Sequence, residues 1–305
     1  LIKHCYYESL KELIKETNNY LHVIDAIESI NDSSIGIIGE PSNWLLTSKN
    51  INSFGEFNSK LIKIDISEVV NGVGKIENSR VFEKIETDYH NKCVCSKDIS
   101  DSSKAYDSLK EVVTKYNLNA LTVRCFDLLK YNYTACMALS LLNDENIVSG
   151  CEGDIFALFT MLVANKLTNA PVWMANPASI NKKENSLILA HCTIPSKMLD
   201  NINDSQLTTH MESGMSVAIQ GPLKISEVTI IRIGGNFDKI LFTTGKIIET
   251  NMRDPNLCRT QVKIKLDIDI ETWLNSALGN HQILVYGNIS KMLTEFSNFT
   301  GLKIV

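Results

Sequence analysis

The segment Ser149-Gly-Cys-Glu-Gly-Asp-Ile155 sets two carboxylates, Glu152 and Asp154, between glycines just before the apolar run FALFTMLVANKL. Asp154 has the position of a helix N-cap, where a carboxylate accepts free backbone N–H groups at the favourable end of the helix dipole. Glu152 precedes that cap, and the helix does not need it. Gly150 and Gly153 let the chain turn tightly around it. Three of the six histidines lie in suggestive settings. His191 closes LILAH, and His281 follows Gly279-Asn280 and begins HQILVY. His210 opens THMESG, with Glu212 two residues on and so on the same face if extended. Imidazole with carboxylate suits a catalytic divalent metal that keeps open positions. Separations this long form no local metal motif, and each histidine taken alone is more often structural.

Other chemistry is sparse. Arg124 sits inside the apolar run LTVRCF, where a charge demands a partner or a ligand. No G-x-G-x-x-G, Walker lysine or G-x-S-x-G elbow occurs, which argues against dinucleotides, ATP and serine-hydrolase chemistry. The net charge of −5 leaves no footprint for nucleic acid or an anionic membrane. No apolar run reaches the roughly 20 residues of a membrane span, and no signal peptide is evident. The eight cysteines are scattered; Cys125, Cys136 and Cys192 lie in apolar runs as small hydrophobes, and Cys93-Val-Cys95 lacks zinc spacing. A cytoplasmic protein with free thiols and no structural zinc is expected.

The elements that must position these residues change character along the chain. An amphipathic helix is expected from Leu10, Leu13 and Ile14 toward Ile27. Strands are expected at 34–39, 61–65 and 121–126, with helices at 102–116 and 134–142 and a loop-like stretch at 85–100. A further helix opens after Glu152. Strand alternating with helix predicts an open, mostly parallel sheet over 1–168. From 169 to 305, short β-rich segments at 172–175, 186–191, 216–220, 228–233, 239–242, 246–249 and 261–266 predict a β-rich C-terminal domain, a barrel or a sandwich. Its two helices fall near Glu271 and Ser290. The Glu152 loop stands close to the expected domain border, where sites often form.

Taken in order, Ile35-Gly-Ile-Ile-Gly-Glu-Pro-Ser-Asn-Trp44, Gly150-Cys-Glu-Gly-Asp154, Leu187-Ile-Leu-Ala-His-Cys192 and Gly279-Asn-His-Gln-Ile-Leu-Val-Tyr-Gly287 resemble the L-fucose/L-arabinose isomerase superfamily. The nearest likeness is to its fucose isomerase-like members, and it covers most of the chain. The resemblance implies two Rossmann-like domains ahead of a barrel-like one. This chain matches the second and the last; since it begins with Leu1, the first is expected upstream. It further implies a homo-oligomer, trimer or hexamer, whose neighbouring subunit completes the active-site cleft.

The chemistry implied is aldose–ketose isomerisation of a pentose or 6-deoxyhexose through an ene-diolate. Mn²⁺ is the implied cofactor, and Mg²⁺, Co²⁺ or Zn²⁺ suit the same donors. By position, Glu152 matches the superfamily's first carboxylate, a ligand and proton carrier. His281 matches its C-terminal histidine ligand, and His191 its additional histidine ligand. The second carboxylate of the superfamily falls at Ala175-Asn176. Asn176 offers a carbonyl oxygen to the reaction centre but neither charge nor a base. Asp154, or Glu212 beside His210, could compensate. Arg124, His210 and Glu212 are the candidate substrate contacts. Trp44 and Trp173 would stack on a sugar, although core packing is the commoner role. The rival expectation is a non-catalytic sugar-binding or regulatory homologue that lost the second acid.

Overall fold

The structure is a computed structural model that describes residues 9–305. Helix α1 (Leu10–Asn31) is capped by Ser9, whose hydroxyl accepts the Glu12 N–H. Its buried stripe is Val23, Ala26 and Ile30, whereas Leu10, Leu13 and Ile14 are exposed. The amphipathic reading thus found the helix and chose the wrong face. The other N-terminal elements are β1 (Ser34–Ile38), β2 (Lys60–Ile64), α2 (Ile66–Lys75), α3 (Phe82–Asp88), β3 (Asn91–Lys92), α4 (Ser96–Tyr116), β4 (Ala120–Val123), α5 (Cys136–Asp144), β5 (Val148–Cys151) and α6 (Ile155–Thr168). The stretch expected to be a loop at 85–100 holds the end of α3, β3 and the first turn of α4. There the Cys95 N–H donates to Asp98, a local cap that extends α4 six residues beyond its expected start at Ser102.

Strands β1, β2, β4 and β5 form one parallel sheet in the order β2-β1-β4-β5. Parallel strands buried on both faces read as continuous apolar runs, and Ser34-Ile-Gly-Ile-Ile38 and Ala120-Leu-Thr-Val123 do so. The carboxyl ends of β1, β4 and β5 lie side by side, with Ile38 opposite Val123 and Val123 opposite Cys151. The loops after them carry Trp44, Phe126 and Glu152. Open parallel sheets bind their ligands at this edge.

Helix α6 is apolar all round and almost wholly buried, as a helix packed on every side must be. It packs on β4, β5 and α1 and also on two strands of the second half, Glu227–Gly234 and Gln282–Tyr286. That half contains β6 (Trp173–Asn181), β7 (Ser186–His191), β8 (Gln206–Thr208), β9 (Ala218–Gln220), β10 (Glu227–Gly234), β11 (Lys239–Thr250), β12 (Thr260–Leu266), α7 (Ile270–Asn275), β13 (Gln282–Tyr286), α8 (Ser290–Thr300) and β14 (Lys303–Ile304). Antiparallel pairing runs β10-β13-β6-β7-β12-β11 and returns to β10, closing a six-stranded barrel; β14 adds to β11 in parallel. An α/β parallel sheet followed by a barrel is the expected fold class. The segments at 239–242 and 246–249 prove to be one strand, β11. Gly245, which reads as punctuation, lies mid-strand, and a Cβ there would stand 2.6 Å from the Lys265 carbonyl. Strands β3, β8 and β9 make a third, small sheet joining the two halves. Among the described residues no helix is long and apolar enough to cross a membrane.

Candidate metal centre and cleft

Strand register decides which distant residues meet. In the barrel β6 lies between β13 and β7, with Gln282 opposite Ala175 and Asn176 opposite Ala190. His281, Asn176 and His191 therefore sit at one rim, and α6 brings its own N-terminal loop to the same place. The carboxylate of Glu152 and one ring nitrogen each of His191 and His281 lie within 4.8 Å of one another.

Asp154 caps α6 by accepting the Ala157 N–H at 2.9 Å. It does more than the sequence suggests. Its carboxylate receives both terminal nitrogens of Arg232, each at 3.2 Å, and His281 Nδ1 donates to its Oδ2 at 2.8 Å. All three side chains are at most 2% exposed. Arg232 belongs to this buried network, and sequence reading missed it. Its signal, a charge inside the apolar run VTIIRIGG, is the same kind that drew attention to Arg124. Gly279 makes room for the guanidinium, since a Cβ there would approach Arg232 to 2.6 Å.

With Nδ1 committed to Asp154, His281 turns Nε2 toward the Glu152 carboxylate at 3.4 Å, where it is buried and lacks a hydrogen-bond partner. His191 Nδ1 pairs with the Thr193 hydroxyl at 2.9 Å, leaving Nε2. Burial and then the His281 charge push the His191 pKa down to about 3, so this imidazole is neutral. Burial also opposes charge on His281, but the hydrogen bond to Asp154 and the nearby Glu152 carboxylate outweigh it and raise the pKa to about 9. Glu152 is held down at about 2 because His281, His191 and Trp44 overcome its desolvation. Asp154 lies well below the usual carboxylate range; Arg232 and His281 outweigh complete burial.

This donor set fits a divalent cation. An ionised carboxylate, a neutral imidazole and an imidazole with an orphaned buried nitrogen converge, and a second carboxylate fixes the ring of His281 from behind. Proton and metal would compete for His281 Nε2.

Beside the cluster opens a cleft of about 440 Å³ lined by Trp44, Phe126, Glu152, Asn176, Glu212 and Asn280. Asn176 lines it, and its Oδ1 accepts from Asn280 Nδ2 at 2.6 Å. Glu212 also lines it, from a turn rather than an extended strand; burial and then the Glu152 charge raise its pKa. His210 stands apart from the cluster. Its Nδ1 pairs with Ser213 Oγ at 3.0 Å, its ring meets Phe126 edge-on, and burial, then Arg259, lowers its pKa. Arg124 does not line the cleft. It pairs with Asp127 at 3.3 Å and reaches the Pro41 carbonyl and Asn43 at 3.4 Å, bracing the loop after β1. Trp173 is core, as expected of it, but Trp44 is 57% exposed and its indole donates to Glu152 Oε2 at 2.7 Å.

No family model matches the chain. It is 22% identical over 297 residues to a sulfoquinovose isomerase of Alkalicoccus urumqiensis, covering 93% of this chain and 67% of the relative. Proteins of the same name from Clostridium sp. (strain MSTE9) and Priestia aryabhattai are 24% and 21% identical, over 66% and 96% of this chain. The chain spans 46% of the Clostridium relative's length and 68% of the Priestia one's. All three are named as sugar isomerases, which agrees with the resemblance at the level of reaction class.

Proposed function

We propose that this chain belongs to a metal-dependent aldose–ketose isomerase that uses Glu152, His191 and His281 to hold Mn²⁺ or a similar divalent ion. The observation that carries the reading is the convergence of those three side chains at the mouth of a polar cleft. When bound, such an ion supplies Lewis acidity to the two oxygens of an open-chain sugar. The protein's own residues do the rest. Glu152, kept ionised, is the base that takes a proton from one sugar carbon and returns it to the neighbouring one. Asp154 holds His281 in one tautomer. Asn176, Asn280 and Glu212 offer hydrogen bonds to hydroxyls, and Trp44 with Phe126 offers an apolar wall. Substrates in this proposal are a pentose, a 6-deoxyhexose or the sulfoquinovose for which the relatives are named. A cytoplasmic trimer or hexamer, whose neighbouring subunit completes the cleft, is part of the same proposal.

The alternative, a sugar-binding homologue without turnover, is favoured by one observation: an amide, Asn176, stands at the rim with its oxygen already bonded to Asn280. Calorimetry with Mn²⁺ and a turnover assay over these sugars, on the full-length protein, separate the two. We expect Mn²⁺ binding, turnover of at least one sugar, and a loss of about 10²–10⁴-fold in Glu152→Gln. Sugar-dependent thermal stabilisation without turnover would select the alternative. Absence of Mn²⁺ binding, with Glu152→Gln indistinguishable from the parent, would sink the metal reading.

A further inference from the structure

We propose that Trp44 is the positioning residue of this site, fixing the Glu152 carboxylate through its indole N–H; the inference rests on the reading of Glu152 as ligand and base. Glu152 needs holding. Its φ of 64° puts a non-glycine residue in the left-handed region, a strained conformation that persists only where neighbours impose it. The loop after β1 imposes it. The Ser42 N–H donates to the Glu152 carbonyl at 2.9 Å, and Gly153 packs so closely that a Cβ would stand 2.8 Å from Pro41 Cα.

Trp44 completes the grip at the side chain. An indole N–H is a donor only, so it can pair with the carboxylate but never compete with it as a ligand. At 2.7 Å it has the length of a charge-assisted bond. Holding Oε2 there leaves Oε1 facing His281 Nε2 at 3.4 Å. Core packing does not account for this residue, because Trp173 and Trp273 are 0% and 2% exposed while Trp44 is 57% exposed. Its ring is instead propped edge-on by Phe126, with centroids 5.2 Å apart, so that the indole is aimed from outside the core.

The test uses the full-length protein, Mn²⁺ alone, and the indole N–H resonances of its tryptophans, three of which lie in this chain. Trp44→Phe keeps a ring and removes the N–H. We expect its Mn²⁺ dissociation constant to rise about 10–100-fold, the usual range for loss of a group that orients a ligand, with the melting temperature nearly unchanged. The Trp44 indole N–H resonance, identified by its loss in Trp44→Phe, should move in Glu152→Ala. Equal Mn²⁺ affinity in parent and Trp44→Phe, with that resonance unmoved in Glu152→Ala, overturns the Trp44 proposal alone. A parent protein that binds no Mn²⁺ overturns the metal reading and the proposal with it.

Discussion

The floor and the wall of the cleft are built on opposite terms. On the floor, Asp154, Arg232, His281 and His191 are buried, and each has its orientation set by another side chain. On the wall, Trp44, Glu212 and Asn280 are exposed and Phe126 and Asn176 half-buried, most of them on loops. The same residue type is driven in opposite directions by the two settings. Glu152, facing two imidazoles, is held ionised, while partial desolvation and then the Glu152 charge push Glu212 toward its neutral form. Pairs of acids whose environments separate them in this way take different roles in a site. In the proposed reading the floor would retain a cation and a base and the wall would select the sugar, and loops tolerate that kind of change.

The largest effect is expected from breaking the floor at Asp154. Asp154→Ala removes the helix cap and leaves Arg232 charged, buried and unpaired, which should cost about 3–5 kcal/mol in urea unfolding. Replacing both partners, Asp154→Asn with Arg232→Met, should recover part of that loss, because no isolated charge remains. A cost below about 1 kcal/mol for Asp154→Ala would mean the floor is no coupled unit.

The second test sets the floor against pH in chelator-treated protein. His281 rises from 6.5 to about 9 on folding, so its contribution is complete below pH 6.5 and is lost as pH climbs through about 9. His191 falls from 6.5 to about 3; the folded form then resists a proton that the unfolded chain accepts, and stability drops as pH falls below 6.5. Glu152, lowered from 4.5 to about 2, weakens the acid side further as pH drops from 4.5 through about 2. Melting temperature should therefore peak near pH 6.5, and the decline above it should vanish in His281→Gln. Mn²⁺ should reverse that decline, since it replaces the proton and binds more tightly as pH rises. An alkaline limb that survives in His281→Gln would remove His281 as its source.

The floor was only partly legible in the sequence, and the wall less so. Asp154 could be read locally, because an acid before an apolar run is a cap wherever it occurs. The short β-rich segments point to a barrel or a sandwich; the fold closes a barrel with β13 beside β6 and so puts His281 next to Asn176. Arg232 could not be paired by inspection, as its partner is 78 residues away and nothing local distinguishes it from Arg124. Arg124 found a neighbour three residues on and became a loop brace. Trp44 misled for the same reason: its single polar atom meets a carboxylate 108 residues away, so composition favours the core, where Trp173 does lie. Leu10, Leu13 and Ile14 show the limit of periodicity, which finds a helix without knowing which face the fold will cover.

The smallest expected effect, and the sharpest test of the boundary between floor and wall, is Asn176→Asp. By register the new acid would sit between the strands that carry His281 and His191. Its oxygen can still accept the Asn280 N–H, so the wall need not rearrange. Without metal, the added charge faces ionised Glu152 and should lower stability by no more than about 0.5 kcal/mol, the ordinary range for a partly exposed position. With metal, a second anionic donor should tighten Mn²⁺ binding by roughly tenfold, since cation affinity at such sites follows the count of ligand charges. Calorimetry on the variant and the parent, each with a chelator-treated melting curve, measures both halves of this expectation. An unchanged Mn²⁺ affinity would place residue 176 outside the cation's reach, as wall and nothing more. The amide of the natural sequence would then be a contact for sugar hydroxyls, and the three floor residues would have to hold the ion without a second acid.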